Sequence, residues 1–120
     1  MTRSRASAKA AGSRFERSVA DYLAEVVDDR IDRRVKTGAA DKGDIGGLRV
    51  HGQRVVLELK EYGGQVKAGP WLTEAETERV NDGALAGAVV AKRRGRGDPA
   101  DQLVLMTVRD FTALITGERA

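Results

Sequence analysis

The chain has 120 residues, 41% of them hydrophobic and 32% charged, and this composition suits one folded domain better than a disordered chain. It contains no cysteine, which excludes disulfides and thiolate metal sites, and no apolar run approaches the roughly 20 residues that span a bilayer. The formal net charge of +3 is too small to define a partner by itself. We expect a cytoplasmic protein that makes no membrane contact.

The first part of the chain predicts a basic arm followed by a helix. Residues 1–12 are rich in alanine, serine and basic side chains without an apolar period, and we predict a mobile arm there, ahead of a single domain at 13–120. Ser13 and Glu16 have the spacing of a capping box, and apolar residues from Phe15 to Val27 recur at helical spacing. A short basic strand at 32–36 and a flexible loop ending at Gly43 should follow this helix.

The remaining elements alternate between strands and helices. We predict strands at 44–51 and 54–61, joined by a turn at Gly52-Gln53. A helix from Pro70-Trp71 to Gly83 follows, with Thr73 and Glu76 as a capping box. Strands at 86–91 and 102–107 and a helix at 108–115, stopped by Gly117, complete the chain. Gly46-Gly47 weakens the first of these strands. The order αβββαββα predicts an α/β fold in which helices pack on the faces of a mixed sheet.

Glu58 and Lys60 are the first candidates for chemistry. Side chains alternate across a strand, so these two share one face while Leu57 and Leu59 share the other. Charges in an otherwise apolar strand cost several kcal/mol unless they are paired or bind a metal. A cross-strand salt bridge or an edge strand with one solvent-exposed face also explains Glu-x-Lys, and for this pair in isolation it is the commoner explanation.

Two further acids strengthen the interpretation as a site. The predicted hairpin places Asp44 next to Glu58 or one pair away, and two nearby carboxylates favour a cation between them. Mg²⁺ prefers such oxygen ligands and can activate water beside a phosphate, while Lys60 would orient or deprotonate the nucleophile or stabilise the transition state. Glu16 lies within the apolar arc of the first helix, where it either completes the capping box or reaches the sheet beside Asp44.

The basic residues form three clusters, which together indicate a face that binds a polyanion such as nucleic acid. Each cluster alone is equally well explained as a solvated loop or tail. The clusters are Arg3, Arg5, Lys9 and Arg14; Arg30, Arg33, Arg34 and Lys36; and Lys92, Arg93, Arg94 and Arg96.

Four segments carry a resemblance to a known family: Gly12-Ser13-Arg14-Phe15-Glu16-Arg17, Arg34-Val35-Lys36-Thr37-Gly38, Gly43-Asp44-Ile45 and Leu57-Glu58-Leu59-Lys60. They resemble the PD-(D/E)XK nuclease superfamily, and within it the Holliday junction resolvases of the archaeal and phage type. The resemblance runs from about residue 12 to the end, because the later elements follow the family's order. Gly43 departs from it, since the family often has proline there, and we expect glycine to loosen the backbone.

The resemblance implies a restriction-endonuclease-like fold and a set of site residues. Asp44, Glu58 and Glu16 would be ligands of Mg²⁺ or Mn²⁺ or their close neighbours, and Lys60 the catalytic lysine. Thr37 and Gly38 would lie in the loop that approaches the DNA backbone. Further contacts to nucleic acid are expected from Arg14, Arg17, Arg34, Lys36, Lys92, Arg93, Arg94 and Arg96.

The resemblance also implies a substrate and a partner. We expect a metal-dependent endonuclease that hydrolyses phosphodiester bonds in branched DNA during recombination. A four-way junction needs two symmetric nicks, which a homodimer supplies, in the host cytoplasm if the protein is encoded by a phage. Two alternatives stay open. One is another nuclease of the same fold that acts in restriction or repair or cleaves RNA, and the other is a non-catalytic nucleic-acid-binding module in which Glu58 and Lys60 form an ion pair.

Overall fold

A computed structural model describes residues 3–35 and 38–120 of the chain. They form a mixed α/β fold with a six-stranded sheet and three helices. The elements in chain order are α1 (Arg5–Val26), β1 (Asp32–Arg33), β2 (Ile45–Gly46), β3 (Arg49–Val50), β4 (Gln53–Lys60), α2 (Ala68–Asp82), β5 (Ala86–Ala91), β6 (Leu103–Leu105) and α3 (Val108–Thr116). None of the helices in these residues has the length and apolar character needed to cross a membrane.

The sheet has the strand order β1-β2-β4-β5-β6, with β3 also paired to β4. β4 and β5 run parallel over six residue pairs, from Val55 with Ala86 to Lys60 with Ala91, and the other described pairings are antiparallel. The predicted mixed sheet with helices on its faces is therefore confirmed. The 3₁₀ turns Gly38–Ala40 and Pro99–Asp101 lie in two of the connections.

The predicted strand at 44–51 is wrong, because the chain breaks into β2 and β3 at Gly47. Gly47 has a φ of +86°, and a Cβ there would lie 2.6 Å from the carbonyl oxygen of Arg30. Four strands therefore precede α2, three of them only two residues long, where three strands were predicted. The hairpin turn also lies one residue earlier than expected, at His51-Gly52, whose φ values of 54° and 72° suit a two-residue turn between β3 and β4.

Helix α1 begins at Arg5, so the predicted start of the helix at Ser13 is wrong and most of the described part of the predicted arm is helical. Ser4 caps the helix by accepting a 3.0 Å hydrogen bond from the backbone N–H of Ser7. The first turns are rich in alanine, the best helix former, and this propensity outweighs the missing apolar period. The predicted domain boundary at Ser13 falls inside the helix, and Ser13 has no capping role.

The other elements lie close to their predicted places. β5 has the predicted bounds, and Gly83 and Gly117 end α2 and α3 in the left-handed conformation that glycine favours. The predicted capping box of α2 is wrong, because the helix begins at Ala68 and the Thr73 hydroxyl donates to the Gly69 carbonyl within it.

The two faces of the sheet are covered by different helices. α1 packs its apolar stripe, including Phe15 and Val19, against Leu57 and Leu59 of β4. α2 packs Trp71 and Ala75 against the opposite face. These surfaces are called the α1 face and the α2 face below.

Candidate metal centre

Three glutamates meet where β4 faces α2. Glu58 lies in β4, and Glu74 and Glu78 lie one turn apart in α2. One carboxylate oxygen of each lies within 4.8 Å of the corresponding oxygens of the other two. Glu58 and Glu78 are only 5% and 4% exposed, whereas Glu74 is open to solvent. These three residues are called the acidic cluster.

Strand alternation brings Glu58 and Lys60 to this face. In the parallel ladder Glu58 is paired with Val89 and Lys60 with Ala91, and both partners pack against α2. Paired residues on neighbouring strands point to the same side of a sheet, so Glu58 and Lys60 share the α2 face. The predicted common face of these two side chains is confirmed.

The sequence analysis missed Glu74 and Glu78. α2 buries Trp71, Ala75, Glu78 and Asp82, which follow one another at the spacing of a helical core stripe. Two members of this stripe, Glu78 and Asp82, are acids, and they interrupt the apolar period of the segment. A carboxylate at a core position of a helix, combined with a charged residue in a buried strand, was the available signal.

The crowding of carboxylates changes their titration. Burial first, and then hydrogen bonds with Glu78 and Glu74, raise the pKa of Glu58 to about 10. Burial also raises the pKa of Glu78. Without a cation Glu58 therefore retains its proton at neutral pH, because a buried carboxylate ionises at a high cost beside other carboxylates. A bound divalent cation favours the ionised form.

Lys60 is the one cationic side chain seen in contact with the acidic cluster among the described residues. Its ammonium donates to both carboxylate oxygens of Glu74, at 2.8 and 3.2 Å. Burial lowers the pKa of Lys60, but the hydrogen bond to Glu74 and the charges of Glu58 and Glu74 outweigh this effect, and the net shift is upward. Lys60 is therefore protonated at neutral pH and suits charge stabilisation rather than proton abstraction.

Asp44 lies beside Glu58, as the sequence predicted. Ile45 pairs with Leu57 in the antiparallel ladder, which places Asp44 opposite Glu58. Asp44 is 2% exposed, and its Oδ2 accepts a 2.7 Å hydrogen bond from the backbone N–H of Leu59. The carboxylate is thus fixed against the β4 backbone, although it is not a member of the acidic cluster.

Gly43 is packed tightly, contrary to the expectation of a loosened backbone. Its φ of +95° cannot be reached by proline, whose ring holds φ near −65°. A Cβ at this position would lie 2.8 Å from Val56 Cγ1 and 3.3 Å from Glu78 Oε2. Glycine therefore lets the chain pass close to the acidic cluster immediately before Asp44.

A loop closes the acidic cluster into a cavity of about 370 Å³. Gly38, Ala39 and Asp41 form its wall, and Asn81 ties them to α2 by donating to the carbonyl oxygens of Ala39 and Asp41 at 3.2 and 3.0 Å. Within residues 3–35 and 38–120, Asp41 Oδ1 and Glu78 Oε2 are buried and have no hydrogen-bond partner. Such oxygens are costly unless a cation or water reaches them.

Glu16 is not brought together with Glu58. α1 lies against Leu57 and Leu59, on the face of the sheet opposite Glu58. The side chain of Glu16 is 17% exposed and lies 3.3 Å from the guanidinium of Arg33. The structure therefore gives Glu16 a place outside the acidic cluster, because the helix that carries it covers the other face.

The predicted nucleic-acid-binding residues lie at several places. Arg14 and Arg17 line a shallow depression on α1 with Arg33. Lys92, Arg93 and Arg94 line a second depression beyond the end of β5, and Arg96 is exposed in the following turn. Gly38 borders the acidic cavity. Lys36 and Thr37 lie outside the described residues.

Arg34 is directed inward instead. Its guanidinium donates to the carbonyl oxygen of Lys42 at 2.9 Å and forms an ion pair with Asp82 at 3.2 Å. These contacts hold the loop before β2 against the end of α2. The position of Arg34 therefore fits support of the loop better than a contact with a ligand.

The donor set of the cavity fits a hard divalent cation. It offers three clustered carboxyl groups, two of them on buried glutamates, and among the described residues Glu78 Oε2 is one of the buried oxygens without a hydrogen bond. No protein-family model, curated protein or solved structure matches the chain. A functional assignment therefore depends on the chemistry of this site.

Proposed function

We propose that the protein is a metal-dependent nuclease that hydrolyses phosphodiester bonds in nucleic acid. The observation that carries the proposal is the acidic cluster of Glu58, Glu74 and Glu78 beside the protonated amine of Lys60. Three carboxyl groups crowded into a partly buried cavity cannot all ionise cheaply, and a divalent cation between them would offset that cost.

The residues of the cavity divide the roles between them. Glu58 and Glu78 would hold Mg²⁺ or Mn²⁺, with Glu74 on the open side of the cavity. When bound, such an ion activates water and neutralises charge on a scissile phosphate. Lys60 stays protonated and stabilises the negative charge that develops on the phosphate. Asp44, held by the amide of Leu59, places a further carboxyl group beside Glu58.

The finer assignment is to the PD-(D/E)XK type of nuclease, with a restriction-endonuclease-like fold. It is supported by Asp44 lying opposite Glu58, by the common face of Glu58 and Lys60, and by a mixed sheet with helices on both faces. The resemblance of the four sequence segments extends the proposal to branched DNA, to four-way junctions as the first substrate to test, and to a homodimer as the active form.

Cleavage of a set of labelled substrates tests this proposal. A four-way junction, a flap, a linear duplex and an RNA duplex of matched length are incubated with the full chain in Mg²⁺, Mn²⁺ or EDTA. We expect nicking of the junction that requires the divalent ion. Metal-dependent cutting that prefers another of these substrates would support the nuclease activity but contradict the assignment to four-way junctions.

Matched variants separate catalysis from binding. Lys60→Met and Glu58→Gln should abolish cutting while leaving binding in EDTA nearly unchanged. Arg109→Met removes a positive charge from an exposed position on α3, outside the basic clusters, and should cut normally. Cutting that persists in EDTA would refute the mechanism. Binding without metal-dependent cutting of any substrate would instead support the non-catalytic module, in which Lys60 and Glu74 form an ion pair.

A further inference from the structure

A basic cavity of about 410 Å³ lies beyond the carboxyl ends of the two parallel strands, β4 and β5. Its cationic side chains are Arg3, Lys92, Arg93 and Arg94, and the rest of its wall includes three glycines of the adjoining turns. Ligands of α/β proteins commonly bind beyond the carboxyl ends of parallel strands, where the connecting loops leave a crevice.

This cavity is close to the acidic cluster but opens on the other side of the sheet. The backbone N–H of Lys92 donates to the carbonyl oxygen of Lys60 at 2.9 Å. Glu61, the residue after β4, lines a depression with Phe15 of α1 and so lies on the α1 face, whereas Lys60 lies on the α2 face. This depression, which Arg14 and Lys92 also line, continues the basic surface along α1.

One carboxylate of the chain already occupies the basic cavity. Arg3 donates to the two carboxylate oxygens of Glu61 at 2.8 and 3.1 Å, and the backbone N–H of Gly63 donates to the same group at 2.8 Å. The hydrogen bond from Arg3 lowers the pKa of Glu61, which is therefore ionised at neutral pH. A two-pronged guanidinium with a backbone amide is also the arrangement by which proteins hold phosphate oxygens.

We propose that the cavity formed by Arg3, Lys92 and Arg94 binds a phosphate of the nucleic-acid backbone and that Glu61 is an internal anion which this phosphate displaces. The choice of nucleic acid as the source of the phosphate rests on the proposed function, since a free polyphosphate offers the same oxyanion. No aromatic ring is found among the described residues that line this cavity. Binding therefore uses phosphates rather than base stacking and is independent of sequence.

Binding of a fluorescent 20-base-pair duplex in EDTA, followed by anisotropy over a range of salt concentrations, tests the cationic part of the proposal. Arg94 and Arg109 are both exposed, but Arg109 lies in α3, which packs at the opposite end of β5. Arg94→Ala should weaken binding about five- to tenfold at 0.1 M salt and make the slope of log K against log salt shallower by about 0.9. Arg109→Ala should change neither value. Equal effects of the two substitutions would overturn the proposal.

A second pair of variants tests the internal anion. Glu61→Gln should tighten binding of the duplex severalfold, because it removes the competitor and keeps the shape of the side chain. Glu118→Gln removes the same charge from an exposed position near the C-terminus and should have a much smaller effect. Unchanged or weaker binding by Glu61→Gln would show that Glu61 only anchors Arg3, which contradicts the proposal.

Two further arms identify the ligand and separate this proposal from the nuclease. Inorganic tripolyphosphate should compete weakly with the duplex, and a polyphosphate that binds as tightly as the duplex would overturn nucleic acid as the ligand. Because EDTA prevents metal-dependent cutting, the assay measures binding separately from cleavage. If the wild type cuts DNA but Arg94→Ala does not weaken binding, the phosphate site is refuted and the proposed nuclease activity is retained. If Arg94→Ala weakens binding but the wild type cuts no substrate, the phosphate site is retained and the nuclease activity is refuted.

Discussion

The protonated glutamate of the acidic cluster predicts an unusual pH dependence of stability in the absence of metal. Burial and hydrogen bonds raise the pKa of Glu58 to about 10 in the folded chain, against an ordinary value of 4.5. Folding therefore takes up a proton between these two pH values. The contribution of Glu58 to the free energy of unfolding is fully present below its unfolded pKa of 4.5. It falls as the pH rises above that value and is lost once the pH has passed the folded pKa of about 10.

The size of the effect follows from proton linkage. One proton taken up on folding changes the free energy of unfolding by at most about 1.4 kcal/mol per pH unit. Between pH 6 and pH 8 the loss is therefore up to about 2.7 kcal/mol, or roughly 10 °C in the unfolding midpoint of a chain of this size. Glu78 shares this proton, so the slope belongs to the pair rather than to Glu58 alone.

Thermal unfolding in EDTA at pH 6, 7 and 8 measures this slope. Glu58→Gln keeps the shape of the side chain and removes its titration, and the variant should lose most of the pH dependence. The single histidine, His51, is present in both proteins, so its contribution cancels in the comparison. Adding Mg²⁺ should stabilise the wild type more at pH 8 than at pH 6, because the cation binds the ionised carboxylates. Equal slopes for the wild type and the variant would refute the reasoning.

Three further predictions concern the scaffold of the site. In a urea titration, Gly43→Ala should lower the free energy of unfolding by about 1–3 kcal/mol, because the φ of +95° and the side chain of Val56 both oppose a Cβ. Gly12→Ala is the control: Gly12 lies in α1 with open space around it, and the substitution should raise the free energy of unfolding by up to about 1 kcal/mol. Ser4→Ala should cost about 1 kcal/mol and speed amide exchange in the first turn of α1, whereas unchanged exchange would contradict the capping role. Asn81→Ala should release the wall of the acidic cavity and weaken Mg²⁺ binding by about tenfold in calorimetry, with an unchanged circular dichroism spectrum.

The sequence predicted those parts of the fold that depend on local signals. The continuous apolar run of β5 and the glycines that end α2 and α3 each depend on a few neighbouring residues. The start of α1 was missed because helix propensity and a serine cap replace the apolar period there. The break at Gly47 was missed because its cause, close contact with the carbonyl of Arg30, is a contact between distant segments.

The same distinction applies to the site. Alternation along a strand was enough to predict the common face of Glu58 and Lys60, and the hairpin was enough to place Asp44 beside them. Neither pattern shows which helix covers that face. The structure puts α2 there rather than α1, so Glu74 and Glu78 of α2 complete the acidic cluster, and Glu16 lies on the far side of the sheet.

Acids elsewhere in the fold show what a structural carboxylate looks like in this protein. Asp82 is held by two guanidinium groups, and Asp110 receives a guanidinium, a hydroxyl and a backbone amide. In both cases the donors match or exceed the charge of the acid, and the pKa of Asp110 is lowered. The acidic cluster shows the reverse, because the hydrogen bonds seen from Lys60 go to Glu74 and the pKa values of Glu58 and Glu78 are raised. Such crowding destabilises a buried acid that only supports the fold, whereas a cation between the carboxyl groups would offset the cost. The raised pKa values therefore fit the proposed metal centre better than a structural ion pair.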